Sequence, residues 1–155
     1  MTLETKENLT SDESFGDNDF FVPERYDVDL TKTGVWFEAI DEHDVSWGKF
    51  KLTWYDKSNP SVKKALDAAR TKHAKAIRLG KADTDAIILE TFIGAALLDW
   101  KVNNKKGKPV AYNPKNVADY FAIPQVKEFL LEKLIEFAGD VRNFKKVDKD
   151  DLLGN

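Results

Sequence analysis

Residues 87–100, IILETFIGAALLDW, decide the fold. Ile87, Ile88, Leu89, Phe92, Ile93, Ala95, Ala96, Leu97 and Leu98 leave little polar face. A helix that is apolar nearly all round is central, or lends a second face to an oligomer. The stretch is therefore expected as the central helix, capped by Asp83 or Thr84 and ending at Trp100. Gly94, Ala95 and Ala96 permit close approach of a neighbouring backbone. Trp100 is expected to close the core with its ring and to reach the next loop with its N–H.

Downstream, residues 101–112, KVNNKKGKPVAY, read as a polar hairpin-like turn. Val110 and Tyr112 are expected to return as a short strand beside Lys101-Val102. Asn113-Pro114 gives a cap followed by proline, starting a short helix to Phe121. Ile123-Pro124 opens the last helix, where Val126, Phe129, Leu130, Leu134, Phe137, Ala138 and Val141 form a wide apolar stripe. Burying one such side chain is worth roughly 1.5–3 kcal/mol, so this stripe dominates the expected stability.

Upstream, the pattern changes period. In GVWFEAI, Val35, Phe37 and Ala39 fall on one side and Trp36, Glu38 and Ile40 on the other. In SWGKFKLTWYD, Phe50, Leu52 and Trp54 oppose Lys49, Lys51, Thr53 and Tyr55. The short polar link DEHDVS pairs the two strands antiparallel. A lone hairpin is marginal in water, so the Phe50/Leu52/Trp54 face must cover the helices. A third strand is expected around Tyr26 to Leu30. Asn59-Pro60 then starts a surface helix with Val62, Leu66, Ala69, His73, Ala76 and Ile77 on one seam, ended by Leu79-Gly80. His73 reads as a histidine at the edge of the core.

The fold class expected is α+β and mainly helical. An antiparallel hairpin or three-stranded sheet packs on a bundle of about four helices. Residues 23–144 form one domain, after an acidic disordered leader over 1–22 and before a frayed charged tail over 145–155. Phe15, Phe20 and Phe21 are the anchors if the leader orders on a partner.

The composition narrows the function. Net charge is −3, which gives no global field favouring nucleic acid. There is no cysteine, so disulfide and thiolate chemistry are excluded. His43 and His73 stand far apart, and no metal site is expected. The longest apolar stretch contains Glu90 and is too short to span a bilayer. The N-terminus has no apolar signal-peptide core, so a cytosolic protein is expected. No GxSxG, HExxH or Walker sequence is present. Glu90, within the apolar helix, is the one carboxylate whose acidity the surroundings would perturb, and it is expected to point outward or to pair with a lysine. Neither catalytic residues nor a cofactor are expected. The lysines at 101, 105, 106 and 108 read as a solvated turn.

A family resemblance begins at Asp99-Trp100. The LLDW helix end is followed by Gly107-Lys108-Pro109-Val110 and by Tyr112-Asn113-Pro114-Lys115-Asn116-Val117. A proline-begun helix then runs to Ala138-Gly139-Asp140 and Asn143-Phe144. With Gly34-Val35-Trp36-Phe37, the Lys-Phe-Lys-Leu strand and Asn59-Pro60, the pattern over residues 34–144 resembles the tail assembly chaperones of long-tailed bacteriophages. That resemblance implies a non-enzymatic chaperone. Its partners would be the tape measure protein and the tail tube protein, with homo-oligomerisation possible. It would act in the host cytoplasm during virion assembly and be absent from the mature virion. Apolar stripes of the tape measure protein would need covering until the tube forms around them. The candidate surfaces are the aromatic-rich hairpin (Trp36, Phe50, Leu52, Trp54) and the small-residue helix (Phe92, Gly94, Trp100). The family also implies a longer frameshifted product, with Lys145-Lys146 as the slippage point. A gene lacking a slippery run or an overlapping frame there would remove that expectation. The alternative readings are a structural virion protein of the tail tube or head-tail junction, and a small nucleic-acid-binding module using the Lys49/Trp54 face. DNA binding by such a module would fall steeply with salt. Asp41, Glu42, Asp44 and Asp56 would repel phosphates, which makes nucleic acid the weakest of the three.

Overall fold

The structure, a computed structural model, describes residues 19–146. The expected leader up to residue 18, including Phe15, and the tail from residue 147 lie outside the described residues. The described chain is α+β, built on one antiparallel sheet. Helix α1 (Val28–Thr33) leads into strands β1 (Val35–Ile40) and β2 (Ser46–Leu52). Helices α2 (Pro60–Lys72), α3 (Ala74–Arg78) and α4 (Thr84–Ala96) follow. Strands β3 (Leu97–Asn103) and β4 (Pro109–Val110) complete the sheet in the order β1-β2-β3-β4. Helix α5 (Pro114–Phe121), a π-helical segment (Val126–Leu131), helix α6 (Glu132–Gly139) and a 3-10 turn (Val141–Asn143) are the last described elements.

Two elements differ from the sequence reading. Helix α4 ends at Ala96, and Leu97–Asn103 is a strand of the sheet's interior. A short wholly apolar run suits a buried strand as well as a buried helix, and periodicity cannot separate the two. The bulge opposite Leu52 pairs it with Leu97 while Lys51 pairs with Asp99, so Leu98 is the extra residue. Leu97, Trp100 and Val102 thus all face inward despite their uneven spacing. The second difference is the expected third strand at Tyr26–Leu30. Asp27 instead caps α1, its Oδ1 accepting from the N–H groups of Asp29 at 2.8 Å and Leu30 at 3.3 Å. Once that cap closes, the first-turn donors are satisfied locally and no longer seek a strand partner. Among the described residues the sheet accordingly has four strands, and β3 and β4, not the segment around Tyr26, extend the hairpin.

The other starts and stops follow their local chemistry. Asn59, Asp83 and Asn113 each accept a first-turn N–H, from Ser61, Ala86 and Asn116 respectively. Gly80, with φ of +69°, stops the α2–α3 run. The turn Asn104–Lys108 closes the β3–β4 hairpin, Asn104 Oδ1 accepting from the N–H groups of Lys106 and Lys108.

The core lies under one face of the sheet. Phe50 and Leu52 of β2, Trp100 and Val102 of β3, and Phe92 and Ala96 of α4 meet Phe121, Val126, Leu130, Leu134 and Ala138 from the C-terminal helices. Val126, Leu130, Leu134 and Ala138 recur at steps of four and all stay buried. Four residues overshoot one turn of an α-helix and undershoot the wider π turn. The π segment followed by α6 therefore keeps a four-residue stripe on one face. The first helix cap and the last turn of the described residues meet. The Asp27 N–H donates to the Phe144 carbonyl at 2.7 Å, and Phe144 is fully buried.

Candidate protein-interaction site

Of the seven residues singled out in the sequence, four lie inside. Phe50, Leu52 and Phe92 are fully buried, and Trp100 is 5% exposed. The Trp100 Nε1–H donates to the Val110 carbonyl at 2.9 Å, and its ring meets Tyr112 and Tyr120 edge-on. Burial pushes the Tyr120 hydroxyl up to about 12. These side chains hold the domain together and present no contact area to a partner. Trp54 is half-buried against Tyr26, and its Nε1–H is buried without a partner among the described residues. Trp36 and Gly94 remain at the surface, on separate features.

Gly94 lies in a groove of about 470 Å³ between α2 and α4. Ala65, Ala68 and Ala69 of α2 line it with Gly94, and a Cβ on Gly94 would stand 3.4 Å from that of Ala65. Small side chains on both helices leave a shallow apolar trough. Lys64, Lys72 and Glu90 also line it. Glu90 is held by two neighbours. Its Oε1 takes Lys72 Nζ at 2.9 Å, and its Oε2 stands 2.6 Å from His73 Nε2. Burial raises the Glu90 pKa, yet the hydrogen bonds and charges of Lys72 and His73 outweigh that and hold it below the usual range. Glu90 thus pairs with a lysine, as its sequence context suggested. At one end, Ser61 Oγ donates to Asn59 Oδ1 and lies 3.3 Å from the Ala95 carbonyl. Ala65 and Ala68 escaped the sequence reading, which followed the seam of Val62, Leu66, Ala69 and His73. The signal was the alanine triple at positions 65, 68 and 69, opposite the glycine of α4.

Trp36 lies on the sheet face away from the core, 41% exposed. It shares that face with Ile40, Glu38, Lys49, Lys51, Asp99 and Lys101. The Lys101 Nζ sits 5.0 Å from the Trp36 ring centroid, a cation–π geometry. The proposed nucleic-acid face joining Lys49 to Trp54 does not form, because Trp54 packs on Tyr26 and Trp36 is the aromatic beside the lysines. Among the described residues, no group of three or more metal-ligating side chains comes together, and no helix is long and apolar enough to cross a membrane.

Residues 57–155 match the family model described as YdaY prophage protein, which is more than half of the chain. The chain belongs to the YdaY prophage protein family. It is therefore phage-derived, in keeping with the viral origin that the resemblance implied. The family match begins at Lys57 and contains the whole α2–α4 groove, while Trp36 and strands β1 and β2 precede it. No match is found among curated proteins or among solved structures.

Proposed function

We propose that this YdaY-family protein is a tail assembly chaperone that binds the phage tape measure protein and keeps it soluble until the tail tube forms. The α2–α4 groove carries the reading. It is an apolar trough floored by Ala65, Ala68 and Gly94, with lysines on its rim, and it lies inside the family-matched residues. An amphipathic helix seats its apolar face in such a groove, and small residues on the floor let the two backbones approach closely. A tape measure protein carries long apolar helical stripes, which many copies binding weakly in series would cover. The role is non-enzymatic, exercised in the host cytoplasm, with the tail tube protein displacing the chaperone as the tube polymerises.

The test is co-expression with the neighbouring tape measure reading frame, followed by mass spectrometry of purified virions. The tape measure protein should stay soluble only with this chain present, and the chain should be missing from finished particles. Stoichiometric recovery of the chain in virions would instead support a structural component of the tail tube or head-tail junction.

A further inference from the structure

The two edges of the sheet are built differently. An open edge strand offers a row of unpaired backbone groups to any other strand, and proteins blunt such edges with short strands, proline and lysine. Strand β4 carries all three: it is two residues long, contains Pro109 and follows Lys105, Lys106 and Lys108. Strand β1, at the other edge, is six residues long with neither proline nor lysine. Glu38 is its one charge, and its bulge comes only at the last step, between Ala39 and Ile40.

The outward groups of β1 follow from the register. The Thr53 N–H donates to the Ala96 carbonyl, on the β3 side, and the Trp54 N–H to the Thr31 carbonyl, on the α1 side. Alternation then turns Phe50 and Leu52 toward β1, where they pair with Phe37 and Val35. The N–H and C=O groups of Trp36 and Glu38 therefore point away from β2, and no described residue takes them. Beside this edge lies a cleft of about 390 Å³, walled by Phe37 and Phe137, whose rings stack at 4.3 Å.

We propose that β1 pairs antiparallel with β1 of a second copy, across a two-fold axis at Phe37, joining the two sheets into one. That register sets Trp36 of each copy opposite Glu38 of the other, so each outward residue exchanges both backbone bonds. The Lys101 Nζ, 5.0 Å from the Trp36 ring centroid, then meets the Glu38 carboxylate of the second copy. This charge match selects the register: an axis at Glu38 would set carboxylate against carboxylate. On the core face the two Phe37 rings meet at the axis, and the clefts give them room. The seam uses no residue of the α2–α4 groove, so it stands whether or not that groove binds a tape measure helix.

Sedimentation and amide hydrogen exchange of the full chain test it together. At high concentration the wild type should sediment as a dimer with the Trp36 and Glu38 amides protected. Both should lose protection on dilution to the monomer, while the Phe37 amide keeps it. Glu38→Lys should weaken the dimer about tenfold or more, since the axis counts the change twice. Adding Lys101→Glu should restore the dimer, because the pair re-forms with its signs exchanged. Glu38→Pro, which removes an outward N–H and spares the β1–β2 ladder, should give a monomer that melts cooperatively. A wild type that stays monomeric at every concentration would overturn the proposal. So would a dimer that Glu38→Lys and Glu38→Pro leave intact. Protection of Trp36 and Glu38 that persists in the diluted monomer would overturn it too, since the edge would then be covered from within its own chain.

Discussion

His73 Nε2 stands 2.6 Å from Glu90 Oε2, which ties the break between α2 and α3 to the middle of α4. Lys72 completes the cluster on the other carboxylate oxygen. Helices α2 and α4 frame the groove, and this cluster ties the C-terminal end of α2 to α4 at one end of it.

The cluster sets a pH dependence. The Glu90 pKa is held below its ordinary value of 4.5 in the folded chain. A group depressed on folding stabilises at pH above its unfolded value, and that contribution is lost as pH falls through the folded value. Glu90→Gln should therefore destabilise the protein by on the order of 1 kcal/mol at neutral pH. The gap between the two proteins should close as pH falls below 4.5. Urea unfolding across that range checks it.

The aromatics divide by position. Phe92→Ala should cost about 3–5 kcal/mol, because a fully buried ring leaves a cavity. Trp36→Ala should cost about 1 kcal/mol, because its ring is two-fifths exposed and loses mainly the cation–π contact with Lys101. Thermal unfolding of the two variants side by side would show the difference.

Two glycines should respond with opposite signs. Gly48 has φ of +123°, and a Cβ there would stand 2.8 Å from the Lys101 carbonyl oxygen, so Gly48→Ala should destabilise by more than about 1 kcal/mol. Gly94 is helical and its Cβ would meet Ala65 at ordinary contact distance, so Gly94→Ala should stabilise by roughly 0.5–1 kcal/mol. Denaturant midpoints measure both.

Trp54 allows two truncations to be compared at one site. Its buried Nε1–H has no partner among the described residues. Trp54→Phe removes that unsatisfied donor along with part of the ring, so it should cost less than the roughly 3–5 kcal/mol expected for an aromatic-to-alanine change. Comparing Trp54→Phe with Trp54→Ala by calorimetry separates the two effects.

Much of this fold is legible in the sequence where a cap or a period speaks for itself. Asn113-Pro114 fixes the start of α5, and the alternation of Phe50 and Leu52 with Lys49 and Lys51 fixes which face of β2 is buried. The boundary at Ala96/Leu97 is not legible, because an unbroken apolar run satisfies a buried helix and a buried strand alike. Helix α1 is too short for a hydrophobic period, and its signal was the Asp27 cap with Gly34 at the far end. The groove was half legible. Gly94 marked one wall, while Ala65 and Ala68 gain meaning only once α2 is laid against α4. The aromatic residues misled for a simple reason: large apolar side chains suit a core and an interface equally well.

The groove itself is tested most directly by Gly94→Leu, which fills the trough from an exposed position on α4. The full chain, wild type and variant, is to be co-expressed with a tagged tape measure protein and recovered by affinity. Co-purification with the wild type, and its loss with a Gly94→Leu chain that melts no lower than the wild type, is the predicted result. Equal recovery of both chains, or of neither, would contradict the account.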